Sequence, residues 1–200
     1  MDIKGLNQLY TISYEQYFGE MDLIDAEKKA RMSLAEELEI IFLYYFLLLS
    51  DKTKENYVQM IHDKYVEVAN KFLKSKETPA YIEEYANTLA NETVDVTNRH
   101  DGEVYYTSKD RAMMISANEA NVLGNYRQQI DAVKSGKKYK TWMTMRDDKV
   151  RHTHMEVNGM RVGIFDAFIV GNSQMMYPKD TSLGAEMEEI AGCRCTLHYS

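Results

Sequence analysis

Two cysteines, Cys193 and Cys195, stand one residue apart in the closing stretch EEIAGCRCTLHYS, and the 200-residue chain has no others. On an extended strand, side chains at i and i+2 share one face, and thiols that close in sequence do not form a relaxed disulfide. A same-face pair can supply two ligands of a tetrahedral zinc site, with His154 a natural third. His198 falls on the opposite face of that strand. Two small buried core thiols are the blander alternative, and bond formation on oxidation is the third. The expectation is packed core first and metal ligands second, with no cofactor required and a structural zinc at Cys193, Cys195 and His154 as the open alternative.

A second set of reactive types lies in RDDKVRHTH and EEI. Arg151, His154 and Glu189 together suit phosphodiester or nicotinamide-glycoside chemistry, with His154 as general base and Arg151 on phosphate. No Gly-rich phosphate loop and no Ser-His-Asp arrangement accompanies them. The structural counterpart is a pair of buried ion pairs, Arg151 with Glu189 or Arg194 with Asp148, locking the Arg/His turn to the final strand. An enzyme needs these groups around a pocket that admits a ligand, and a scaffold needs them buried and mutually satisfied. The expectation is a scaffold without catalysis. The locally basic run Lys134, Lys137, Lys138, Lys140 and Lys149 is the candidate DNA contact, and it would bind in a salt-sensitive way.

These groups need elements to carry them. Ser33 and Glu36 read as a capping box opening a helix to about Leu49, apolar on nearly every side and central to a bundle. DKTKENY is a turn, and Val58, Ile61, Tyr65, Val68 and Phe72 mark the next helical stripe. Thr78 as N-cap with Pro79 at the first helical position starts a third helix, ending near Asp101-Gly102. A fourth runs over 108–135 and stops at Gly136, with Ile115, Val122, Tyr126, Ile130 and Val133 as its stripe. Arg111 and Glu119 fall on that stripe, where an unpaired charge is costly, so each requires a partner.

After Gly136 the period becomes two. KYKTWMTM places Trp142 and Thr144 opposite Tyr139, Thr141, Met143 and Met145. Asn158-Gly159 between alternating runs predicts a tight hairpin, and GCRCTLHY alternates again. The fold expected is α+β: a helical N-terminal region of three to four helices over 1–105, then a module over 106–200. That module combines the long helix 108–135 with a small β-rich part, 139–200, containing the Asn-Gly hairpin and a helical turn at DDKVRHTH.

Composition sets the limits. Hydrophobic residues make up 44% and charged ones 28%, with two prolines, which is a globular composition rather than a disordered one. No block of basic residues exists, so any nucleic-acid contact is local and modest rather than made by a basic tail, and the net charge of -7 speaks weakly against DNA wrapping. The opening MDIKGLNQLY has no secretory pattern. The longest apolar run, IIFLYYFLLL, is about half of the roughly 20 residues a membrane span needs. Two cysteines without a leader predict a reducing compartment.

Taken in order, Arg111, Ala112, Ile115, Glu119, Trp142, Asp148, Arg151, His154, Gly159, Phe168, Pro178, Asp180, Glu189, Cys193, Arg194 and Cys195 resemble the motif set of the phage Mu F-like minor head protein family, also called the head morphogenesis family. The resemblance covers 111–196, with Gly192 where the family usually has Asn. It implies a low-copy virion protein of a tailed bacteriophage, at the portal vertex or the capsid interior, and in the host cytoplasm during assembly. The implied partners are the portal protein, the major capsid or scaffold protein and phage DNA, with no membrane. The implied role is head morphogenesis with DNA packaging or delivery. The alternative from another class is a small phage-borne enzyme module, a nuclease or an ADP-ribosyltransferase-like toxin, using His154, Arg151 and Glu189.

Overall fold

The computed structural model describes residues 13–50 and 56–200. The opening decapeptide and most of the expected DKTKENY turn lie outside the described residues. Among the described residues the fold is α+β, with seven helices concentrated toward the N-terminus followed by small antiparallel sheets. No helix among the described residues is long and apolar enough to cross a membrane. The chain forms two compact units that do not divide at residue 105. One holds Met32–Glu119 with Tyr14, the other Glu15–Arg31 with Ala120–Ser200. Two long helices, α2 (Asp25–Ser50) and α5 (Lys109–Lys134), each contribute residues to both.

In the first unit α2 is followed by α3 (Tyr57–Leu73), α4 (Ala80–Arg99) and a 3-10 turn, Val104–Thr107. The side chain of Asn56 accepts from the Gln59 N–H and caps α3, which ends on a left-handed Lys74, a helix stop usually made by glycine. Ile61, Tyr65, Val68 and Ala69 form its buried face, shifted from the predicted stripe because Val58 and Phe72 at its ends are only half-buried. On α4 the buried positions Ile82, Ala86, Ala90, Thr93 and Thr97 repeat at helical spacing, and its small alanines suit close packing. Pro79, not Thr78, occupies the cap position of α4. The Thr78 hydroxyl instead accepts from the Asn70 amide at 2.8 Å.

The capping box is not used. Helix α2 is continuous from Asp25, and both Ser33 and Glu36 are exposed in its interior. Residues 26–32 are strong helix formers with no breaker among them, so nothing forces a start at Ser33. Nor is its apolar run enclosed. Leu38, Phe42 and Tyr45 are fully buried, whereas Ile40 and Tyr44 are 66% and 52% exposed.

The second unit begins with α1 (Tyr14–Gly19) from Glu15 onward and the first turns of α2, and contains the later part of α5. Its three-stranded antiparallel sheet has the order β2 (Arg161–Gly163), β1 (Tyr139–Met143), β5 (Thr196–Tyr199). Trp142 pairs with Leu197 and Tyr139 with Gly163. A separate hairpin joins β3 (Phe168–Val170) to β4 (Ser173–Met175). The alternation expected around β1 holds, with Lys140, Trp142 and Thr144 buried. Trp142, Val157, Phe168, Val170, Met175, Tyr177, Leu197 and both cysteines form one core.

Three expectations fail here. Asn158-Gly159 is not a hairpin turn but the end of the short helix α6 (His152–Glu156). Only Gly159 takes a positive φ, 79°; its N–H reaches the Trp142 carbonyl at 2.8 Å, and Asn158 Oδ1 accepts from the Thr144 N–H and hydroxyl at 3.0 Å each. A two-residue hairpin would need both residues left-handed. The predicted apolar stripe of α5 is also displaced: Val133 is 37% exposed, while Asn121, Asn125 and Gln129 are buried. These amides, four residues apart, each donate to a carbonyl of the module, Cys193, Pro178 and Ile164 respectively, at 2.9–3.1 Å. Finally, β5 begins at Thr196, so the two cysteines lie in the segment leading into the strand rather than in it.

Candidate functional site

The inner residues of the module converge on His154. Helix α6 has only five residues, and within it His152 and Met155 face solvent while His154 is 1% exposed. The Trp142 ring stands edge-on to the imidazole, 5.7 Å between centroids at 81°. A second short helix, α7 (Met187–Ile190), carries Glu189 inward. Its Oε2 lies 3.0 Å from His154 Nε2 and accepts from the Thr153 hydroxyl at 2.8 Å. Oε1 of the same carboxylate lies over Gly171, whose φ of 59° and contact with Glu189 and Thr153 leave no room for a side chain.

The other ring nitrogen faces sulfur. His154 Nδ1 is 3.3 Å from Cys195 Sγ and 3.6 Å from Cys193 Sγ. Both cysteines are free and buried, and the Cys195 N–H points at Cys193 Sγ at 3.5 Å. Hydrogen bonding from Cys195, then from His154, holds the Cys193 thiol well below its ordinary value, although burial opposes this. The Cys195 thiol is pushed up by its bond to Cys193 and by burial. The turn that delivers the two sulfurs passes through Gly192 at φ 66°. That left-handed conformation is open to glycine and to asparagine, so Gly in place of Asn keeps this turn within reach.

Two arginines close the rim. The Arg151 guanidinium donates to the Ala191 carbonyl, not to Glu189 as expected; His154 takes that carboxylate instead. Arg194 Nη2 pairs with both oxygens of Asp147 at 2.9 and 2.6 Å, and the expected partner Asp148 is exposed. Arg146, at φ 57°, turns the chain just ahead of Asp147. A small cavity of about 20 Å³, lined by Met145, Val150, Arg151, Gly192 and Arg194, opens on His154 and the two cysteines.

The remaining motif residues fasten loops elsewhere in the two units. Asp180 is fully buried and accepts from the Met176 and Ser182 N–H groups at 2.9 Å. Pro178 offers its carbonyl to Asn125, and Phe168 packs on Trp142 at 5.1 Å. Lys140 is not a surface lysine: it is fully buried, with Nζ on the Met176 carbonyl at 2.6 Å and over the Phe168 ring. Lys134, Lys137, Lys138 and Lys149 are exposed. Arg111 and Glu119 belong to the other unit. Arg111 donates to the Thr97 hydroxyl at 2.7 Å and to the Tyr106 carbonyl, beneath the Phe46 and Tyr106 rings. Glu119 accepts from the Tyr65 and Tyr85 hydroxyls at 3.2 Å. Both stripe charges are thus partnered.

Sequence reasoning missed Arg31. It is fully buried, with Nη1 on the Asn125 side chain at 3.0 Å and also on that of Asn121, and Nη2 on Gln128 at 2.8 Å. Burial lowers its pKa to about 10. Gly124 passes so close that any Cβ would strike the guanidinium. Lys179 was missed as well; fully buried and at φ 71°, it donates to the Ile190 carbonyl at 3.1 Å beside the Glu189 helix.

A family model described as "Phage Mu protein F like protein" matches residues 67–198. The chain belongs to this Phage Mu protein F like family. No curated protein and no solved structure matches the chain. Membership in the Phage Mu F-like family ties the chain to the bacteriophage head and its morphogenesis, in association with other head components. The match begins in α3 and takes in α4 and α5, so the Mu F-like region is larger than the 111–196 stretch legible from motif residues.

Proposed function

We propose that this Mu F-like chain is a minor head protein of a tailed bacteriophage, a non-catalytic assembly component docked on the portal protein or on the major capsid or scaffold protein. In this reading it resides in the virion, at the portal vertex or the capsid interior, and aids DNA packaging or delivery. The observation that supports a scaffold over the enzyme alternative is the state of His154. Both its ring nitrogens are engaged, Nε2 by Glu189 and Nδ1 by the cysteines, at 1% exposure. A general base needs a nitrogen within reach of substrate, and the cavity of about 20 Å³ beside it is room for a water, far short of a nucleotide or dinucleotide. Arg151, the other candidate, spends its guanidinium on the Ala191 carbonyl.

The test is assembly. Head components are co-expressed with and without this chain, and procapsids are isolated on a gradient. The chain is expected at low copy in procapsids that contain portal. Its absence from purified procapsids and virions, or turnover of nucleic acid or nicotinamide dinucleotide by wild type that is lost in His154→Ala with fold retained, would overturn the proposal. A secondary contact with DNA through Lys134, Lys137, Lys138 and Lys149 belongs to the same reading, now without Lys140. Its affinity should fall with salt at a slope near -0.9 per phosphate contacted, and charge reversal of those four lysines should flatten it.

A further inference from the structure

The His154, Cys193 and Cys195 ligand atoms lie within 4.8 Å of one another, all three residues buried. We propose that they bind one zinc ion, with Glu189 as the outer carboxylate and the fourth position turned to the small cavity beside Arg151 and Arg194. In a tetrahedral site with a metal–sulfur bond of about 2.3 Å and a metal–nitrogen bond of about 2.05 Å, nitrogen and sulfur sit about 3.6 Å apart. The two observed separations are 3.3 and 3.6 Å. Both nitrogen–sulfur edges are thus close to those of such a polyhedron, and the two sulfurs lie within 4.8 Å of each other.

The surroundings agree with the first shell. A ligating imidazole commonly gives its other N–H to a carboxylate, which fixes the tautomer and orients the ring. Glu189 occupies that place on Nε2 at 3.0 Å, and is itself held by the Thr153 hydroxyl at 2.8 Å. With Nε2–H donated to Glu189, the lone pair of Nδ1 points at the sulfurs. The N–H of Cys195 directed at Cys193 Sγ is the backbone bond a thiolate accepts. Two thiolates neutralise the dication, His154 makes the third ligand, and the fourth position, facing the cavity, is left for water. The cavity's size, about 20 Å³, fits a single water. Cys-x-Cys has a tight bite, and the left-handed Gly192 just before it re-aims the chain so that both sulfurs still meet the imidazole. The competing arrangement, a thiol hydrogen-bonded to Nδ1 with no metal, uses the same atoms and predicts no metal uptake.

The experiment uses the full chain, produced with zinc in the medium and desalted without chelator. Elemental analysis should return close to one zinc per chain. Exchange into cobalt(II) should give tetrahedral ligand-field bands together with thiolate-to-cobalt charge transfer, and both should vanish in the Cys193→Ser and Cys195→Ser variants. Because those variants could unfold, Glu189→Gln supplies an independent readout. It should keep the fold and weaken zinc affinity about 10–100-fold. Chelation of wild type should lower Tm, and added zinc should restore it. Folded wild type that takes up neither zinc nor cobalt, with both thiols titrating as free after denaturation, overturns the proposal. So does stoichiometric metal that survives in the Cys193→Ser/Cys195→Ser double variant.

Discussion

Glu189 Oε2 sits 3.0 Å from His154 Nε2, across 35 residues of chain, and both side chains are buried. The contact fastens α7 to α6, and the cysteines on the far side of the imidazole bring in the segment that enters β5. Three stretches too short to be stable alone are thereby held through one ring. Helices of four and five residues lie far below the length at which a helix persists in water, so their conformation depends on what their side chains grip.

Removing the carboxylate should therefore cost more than one hydrogen bond. Glu189→Ala leaves the buried His154 Nε2 and the Thr153 hydroxyl without their shared acceptor, and a buried polar group left unsatisfied typically costs about 1–3 kcal/mol. Urea denaturation followed by the fluorescence of Trp142, the sole tryptophan, reads it directly. A loss below about 1 kcal/mol would show that the carboxylate does not hold the ring.

Gly171→Ala should be worse than Gly159→Ala, although both positions have positive φ. At Gly159 a new Cβ meets nothing within 4 Å, while at Gly171 it runs into the Glu189 carboxylate and the Thr153 methyl. The backbone penalty of about 1–2 kcal/mol is common to both, and the excess at Gly171 measures how rigidly Glu189 is held. Equal midpoints would mean the carboxylate swings aside freely.

Arg194 chooses Asp147, so Asp147→Ala and Arg194→Ala should couple in a double-mutant cycle and Asp148→Ala should not. Asp147 retains 31% side-chain exposure, which limits the coupling to about 1 kcal/mol. Coupling to Asp148 instead would mean that the turn at Arg146 is wound differently.

Arg151→Ala should loosen the Ala191–Cys195 segment without unfolding the module. Its guanidinium serves a backbone carbonyl rather than a buried carboxylate, and a hydrogen bond to a charged group contributes about 1.5–3 kcal/mol. Hydrogen exchange should show faster amide exchange at Cys193 and Cys195 with the sheet still protected. Global unfolding at room temperature would contradict this.

Lys140 gives a pH dependence of known sign. Burial pulls its pKa down from 10.5 to about 8, against the opposing pull of Asp180 and Asp166. Between those values the unfolded chain holds a proton that the folded chain has released, so stability rises with pH across this window. Below about 8 the folded state carries the full cost of a buried ammonium. Relative to Lys140→Met, wild type should gain stability as the pH rises from 8 toward 10.5. A difference that stays flat or falls would show that the ammonium is not penalised by burial.

Much of this site was legible because its residues break local rules. Cysteines at i and i+2 in a chain with no others, an Arg/His turn, and charges on the apolar stripe of α5 are costly to keep without partners, and the structure gives each a partner. What failed was the choice between neighbours. Whether Asp147 or Asp148 meets Arg194 depends on one left-handed residue, and Asn158-Gly159 suits a helix end as well as a hairpin when only the glycine is left-handed. Arg31 and the row Asn121, Asn125, Gln129 were illegible for another reason. Amides and guanidinium groups on a helix look like a solvated face, and only the loops that return to them, 35 to 72 residues later for the amides, reveal that the face is inward. Lys140 was misread as surface because lysine is so rarely buried, although its place in the β1 alternation put it inside with Trp142.

The second unit is split in sequence: Glu15–Arg31 and Ala120–Ser200 build it, and Met32–Glu119 intervenes. The Asp22 carbonyl receives the Thr196 hydroxyl at 3.2 Å, near the two chain ends of that unit. On a ribosome, the early piece emerges long before its complement exists, and the intervening helices can gather while it waits. The second unit closes only once its later piece, Ala120–Ser200, has also been made. A graft that transplants residues 106–200 alone would thus deliver the second unit without Asp22, Glu27 and Arg31.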